Sequence, residues 1–148
     1  KWIQLNSDGV VKEDSSLASI EGNLRDRYNK CILGYNYFVR IYSVLDIELW
    51  GILEGLAIAI DRGFHRLFIL SDSQEAVQVA QWSGTKVSMS TLVKRINILL
   101  AKLAHWSILH VSKDYNKEVD SLAKMSIGNN GGTKFFEIPP WGLGCISR

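Results

Sequence analysis

The sequence lacks any run of about 18 uncharged apolar residues, so it offers no helical membrane span. Its first residues, Lys1 to Asp8, alternate in polarity and carry an acid, and are not expected to be a secretory signal. Cysteine is scarce: Cys31 and Cys145 stand far apart and form no metal-binding pattern. They are expected to be two unpaired thiols, suited to a reducing compartment, nuclear or cytoplasmic. Charge of one sign is also scarce, since 17 basic residues face 15 acidic ones for a net +2. There are no internal repeats, and the only biased stretch is Gly128-Asn129-Asn130-Gly131-Gly132. A chain that opens on Lys1 rather than Met is expected to be a domain of something longer.

What is present is an ordinary globular composition, 47% hydrophobic and 22% charged, over a length that buries one core. Residues 2–8 alternate, with Ile3 and Leu5 on one face, and predict a strand ended by Gly9. Residues 17–27 and 30–40 predict two more strands, joined by a hairpin turn at Tyr28-Asn29. The period then changes. Ile47, Trp50, Leu53, Leu56, Ala57 and Ile60 recur at helical spacing over 46–62, and Gly63 stands where a C-cap belongs. Residues 66–71 form a nearly continuous apolar run, as in a strand covered on both faces. Helices are expected over 73–82 and 89–104, a strand over 105–111, and a helix capped by Asn116 through Met125. The order βββαβααβα implies an α/β fold: a mixed five-stranded sheet in the order 3-2-1-4-5 with helices on both faces. The expected division is a domain over 1–127, followed over 128–148 by a Gly/Asn linker and a short tail.

Four acids occupy telling places in this layout. Asp8 is expected at the end of the first strand and Glu48 in the first turn of the first helix. Asp72 directly follows the fourth strand, and Asp120 lies in the first turn of the last helix. Ligand sites in α/β sheets gather beyond the carboxyl ends of strands, where Asp72 must be. Helix N-termini favour anions, which suits Glu48 and Asp120. Any one such acid would more often be a solvated charge or a cap. Brought together, four carboxylates repel one another and call for cations. Oxygen donors select Mg²⁺ or Mn²⁺, and no Cys/His cluster competes. Two such ions about 3.5–4 Å apart can activate a water and stabilise the leaving oxygen of a phosphodiester. Gathering these four acids would leave the other surface with seventeen basic residues against eleven acidic ones, a balance that attracts nucleic acid.

The pieces Leu5-Asn6-Ser7-Asp8-Gly9, Leu24-Arg25-Asp26, Glu48-Leu49-Trp50-Gly51, Ser71-Asp72-Ser73 and Asn116 through Ala123 follow one another in this order. In them the chain resembles ribonuclease H type 1, above all the plant group of such domains found alone or at the end of retroelement polyproteins. The resemblance runs from about Trp2 to Met125, and the Pro pair in the tail Phe136 to Trp141 is also like that group. It implies an RNase H-like fold, and aligns Asp8, Glu48, Asp72 and Asp120 with the family's four metal-binding acids. It implies cleavage of the RNA strand of RNA–DNA hybrids with two Mg²⁺ or Mn²⁺ ions, by a monomer or as part of a longer polyprotein. The A-like minor groove and its 2′-hydroxyls distinguish the RNA strand. Gln74 follows Asp72 and Ser73 as in several members, where it reaches the minor groove; an ordinary polar residue on an exposed turn is the alternative.

The sequence departs from the family in places. Many members carry a histidine in the loop before the last helix, and Ser112-Lys113-Asp114-Tyr115 has none. His105 and His110 lie on the preceding strand and are expected to be structural. Ser19 and Glu21 stand in a stretch that is often glycine-rich, adding an acid near the phosphate path. Lys94, Arg95 and Lys102 read as a solvated helix face, and Trp82 and Trp106 as core aromatics rather than base-stacking platforms. Beside the hybrid endonuclease, two readings stay open: a nucleic-acid-binding module that turns over poorly, and an interaction domain hinted at by the aromatic tail.

Overall fold

Alternation in the first segment becomes β1 (Ile3–Val11), which buries Ile3 and Leu5 against the helices. A computed structural model describes residues 2–11, 17–40, 43–81, 90–112 and 134–136 of the chain. β1 continues past Gly9, because Gly9, Val10 and Val11 pair with Ile20, Ser19 and Ala18 of β2 (Leu17–Arg25). The expected turn then leads to β3 (Cys31–Arg40). There the Asp26 carboxylate accepts from the backbone N–H of Tyr28 and Lys30 at 2.9 and 3.0 Å, and Asn29 takes a φ of 65°. Asp holding its own backbone and Asn tolerating the left-handed region are what such a turn demands. The turn claims residues 26–30, so both strands are shorter there than expected. Cys31 is disulfide-bonded, against the expectation of unpaired thiols; separation along a sequence sets no limit on distance in a fold.

Helix α1 (Val44–Asp61) starts two residues earlier than expected, because the Ser43 side chain caps it by accepting from Asp46 N–H at 3.0 Å. Its end is a Schellman motif: Gly63 N–H reaches the Ile60 carbonyl at 2.9 Å, and Phe64 N–H the Ala59 carbonyl at 3.0 Å. Gly63 takes the required positive φ of 84°. Of the expected face of α1, Ile47, Leu53 and Leu56 are buried, Trp50 and Ile60 half-buried and Ala57 exposed; Leu49, Ile52 and Ala59 are buried beside them, so the inner face is shifted from the expected one and wider. In so apolar a helix several stripes look alike, and the sheet decides among them. Strand β4 (Arg66–Ser71), helices α2 (Gln74–Ala80) and α3 (Thr91–Leu100), and strand β5 (His105–His110) follow.

β4 lies parallel between β1 and β5, as its continuous apolar run requires. The sheet order is β5-β4-β1-β2-β3-β6, so the first five strands stand in the expected 3-2-1-4-5 order. The strand count is corrected from five to six. β6 (Lys134–Phe136), inside the expected tail, pairs antiparallel with the free edge of β3. Three residues carry too little alternation to announce a strand. Buried residues of α1, α2 and α3 form one core cluster with Leu5, Leu24, Leu33, Tyr35, Leu67, Ile69 and Ile108 of the sheet. The described helices thus share one face of the sheet, and the helix expected over 116–125 lies outside the described residues. No described helix is long and apolar enough to cross a membrane.

Candidate functional site

The parallel ladder between β1 and β4 ends at the Ser7–Ser71 pair, and the next residues of the two strands are Asp8 and Asp72. Parallel neighbours deliver their following residues side by side, so the topology itself sets these two acids together. Asp72 lies between the end of β4 and Ser73, whose hydroxyl caps α2 by accepting from Ala76 N–H at 3.2 Å. Ser73 N–H in turn donates to the Ser71 hydroxyl at 3.1 Å, which closes the turn around Asp72. On Asp8 the Oδ1 atom accepts from the N–H of Gly9 at 2.8 Å.

The third acid comes from α1. A Cβ at residue 9 would run into the Ile47 side chain, so Gly9 is what lets the first turns of α1 lie against β1. This close approach brings Glu48 to Asp8. One carboxylate oxygen from each of Asp8, Glu48 and Asp72 lies within 4.8 Å of the other two, and among the described residues no other such trio of His, Cys, Asp or Glu is found. Asp8 and Glu48 are largely buried and Asp72 is half-buried. Two full negative charges at such spacing repel by on the order of 3 kcal/mol at an effective dielectric of about 20. A divalent cation would turn this repulsion into attraction. Three hard oxygen donors suit Mg²⁺ or Mn²⁺, while zinc prefers nitrogen and sulfur.

Of the sequence-derived candidates, the fold therefore unites three, and Asp120 lies outside the described residues. Glu48 sits two residues deeper in α1 than expected, past the first turn, because Ser43 starts the helix early; the acid in the first turn is Asp46. Gln74 is exposed at the start of α2, just beyond Asp72. His105 and His110 are both exposed; His110 stands opposite Ser71 at the site end of β5, and His105 meets the Trp2 ring at 6.1 Å. Trp106 is 38% exposed rather than core, because β5 is an edge strand, and Trp82 lies outside the described residues. Arg95 lies over the Trp50 ring at 5.8 Å and so lends part of the α3 basic face to packing. Glu21, expected near the phosphate path, is set by the β1–β2 register directly across from Asp8, a pairing the sequence does not announce.

A mixed sheet in this order, with acids converging where β1 and β4 part, defines a ribonuclease H-like domain. The chain belongs to the family described as reverse transcriptase-like, which matches residues 6–126. A protein of Arabidopsis thaliana named as a ribonuclease H protein is 28% identical over 149 residues, 99% of this chain. The chain spans about a quarter of that relative's length, 24%. RNase H1 of the halophilic archaeon Halobacterium salinarum superposes with a TM-score of 0.78 at 20% identity, covering 87% of this chain and 99% of that one. LC11-RNase H1, isolated from compost and solved in complex with an RNA/DNA hybrid, gives 0.74 at 14% identity over 85% and 96% of the two chains. At such identities these structures establish the fold.

Proposed function

We propose that this chain is a divalent-cation-dependent endonuclease that hydrolyses the RNA strand of RNA–DNA hybrids. The observation that carries the reading is the convergence of Asp8, Glu48 and Asp72 within 4.8 Å at the open end of the β1–β4 ladder. These three would hold Mg²⁺ or Mn²⁺, with Asp120 as the fourth acid that the resemblance implies. Two such ions, when bound, supply the positive charge that activates a water and stabilises the departing oxygen of a phosphodiester. The protein's part is to hold the donors ready: the Gly9 N–H fixes one oxygen of Asp8, the capped start of α2 fixes the backbone around Asp72, and α1 packed on Gly9 fixes Glu48. Gln74, exposed just beyond Asp72, would be the residue that reaches the minor groove of a hybrid, as the resemblance implies, and that groove is the feature that separates an RNA strand from DNA. The hybrid bound by LC11-RNase H1 on the same fold supports this choice of substrate.

A second reading, a retroelement-derived module that grips nucleic acid and turns over poorly, is favoured by the absence of histidine from Ser112 to Tyr115. A labelled hybrid incubated with the unmutated and Asp72→Asn chains, in Mg²⁺ and then Mn²⁺, separates the two. Cleavage by the first and not the second is the expected result. Equal inertness of both, with hybrid binding retained, gives the binding module instead. Equal cleavage by both would remove Asp72 from the site.

A further inference from the structure

Along β1 and β2 the sheet face opposite the helices is largely polar, with Gln4, Asn6 and Asp8 on one strand and Ser19, Glu21 and Asn23 on the other. In register across β1, β2 and β3 stand Asp8, Glu21 and Asn36, so their side chains form one row on one face. Residues directly opposite in antiparallel strands hold their Cβ atoms about 4.5–5.5 Å apart. Glu21 is fully buried, Asn36 is 2% exposed and Asp8 7% exposed. The Ser19 hydroxyl, two residues along the same face, donates to Glu21 Oε2 at 2.6 Å, which fixes the carboxyl group behind Asp8. The Asn36 Oδ1 is buried and accepts no hydrogen bond. A row of oxygen acceptors enclosed next to three converging carboxylates is a field that favours positive charge.

We propose that Glu21 is a further carboxylate of the cation site, an outer member that touches no ion but strengthens cation binding through its charge behind Asp8. This rests on Asp8, Glu48 and Asp72 holding the cation. It differs from packing because a packing residue acts through shape, whereas Glu21 acts through charge. Groups standing just behind metal ligands commonly change affinity by about 10–100-fold.

The test is calorimetric titration of Mn²⁺ into the full chain, with no substrate and no turnover, and with circular dichroism as a check on folding. Glu21→Gln keeps the shape and the acceptor for Ser19 but removes the charge, and about tenfold weaker Mn²⁺ binding is expected. Glu21→Asp keeps the charge and should bind within a few-fold of the unmutated chain. Unchanged affinity in Glu21→Gln overturns the proposal, and so does equal weakening in Glu21→Gln and Glu21→Asp, since shape would then be the cause. Should Glu21→Gln not fold, the double variant Ser19→Ala with Glu21→Leu decides, because it removes the charge together with its hydrogen-bond donor: weaker binding supports the proposal and unchanged binding ends it. The underlying reading has its own control. If the unmutated chain and Asp72→Asn bind Mn²⁺ alike, the cation site itself fails and Glu21 with it; if only Asp72→Asn loses binding while Glu21→Gln does not, Glu21 alone is excluded.

Discussion

At the scale of single residues the site works against the fold that carries it. Asp8 and Glu48 are held largely out of water beside a third carboxylate, an arrangement that costs stability until positive charge arrives. Asp8→Asn should therefore raise the melting temperature of the cation-free chain by roughly 2–4 °C, the shift that about 1 kcal/mol produces at this size. The same variant should gain less than the unmutated chain when Mg²⁺ is added; scanning calorimetry with and without Mg²⁺ reads both. A lower melting temperature without cation would mean that Asp8 serves the fold through its bond from Gly9. These acids were legible in the sequence because Asp8 and Asp72 follow strand patterns and Glu48 lies on an apolar helix. That Glu21 stands across from Asp8 was not legible. Strand register is a property of pairs, and only the β1–β2 ladder says what stands across from what.

At the scale of elements α1 is the hinge of the architecture, since it meets β1, β2, α2 and α3. Its C-terminal end was readable and its start, which Ser43 sets, was not: Gly63 marks the C-terminal cap, and Gly63→Ala should cost about 1 kcal/mol because a Cβ is strained at that φ. Ser43→Ala should cost a similar amount, about 1 kcal/mol, by removing the N-terminal cap. Urea denaturation measures both, and a neutral Ser43→Ala would mean that solvent replaces the cap. The buried face of α1 was readable only in part, through Ile47, Leu53 and Leu56, because apolar residues run nearly all round it and periodicity alone does not choose the inner stripe. Leu56→Ala should cost 2–5 kcal/mol, as a fully buried side chain leaves a cavity. Ala57→Ser, one position away and exposed, should stay within about 0.5 kcal/mol. Equal costs at the two positions would contradict the observed orientation of the helix.

For the whole molecule, saturating Mg²⁺ or Mn²⁺ should stabilise the native state by about 2.7 kcal/mol at a hundredfold excess over the dissociation constant. Thermal melts across a cation series check this, and an Asp72→Asn chain that responds as strongly as the unmutated one would refute it. The order of the first five strands followed from the alternation of strand and helix patterns and from the handedness of crossovers. The sixth strand did not, since Lys134–Phe136 is recognisable only by the β3 edge it meets. The point where the β1–β4 ladder stops also sets an order of events in folding. β1, β2 and β3 are near one another in sequence and can associate early, whereas Ser7 and Ser71 must meet across the whole of α1. Contacts so far apart along a chain close late, after their loop entropy has been overcome. The meander by itself holds Asp8 but neither Glu48 nor Asp72, so a half-folded chain has nothing with which to chelate. Cations should then slow the unfolding of this protein while leaving its rate of folding nearly untouched.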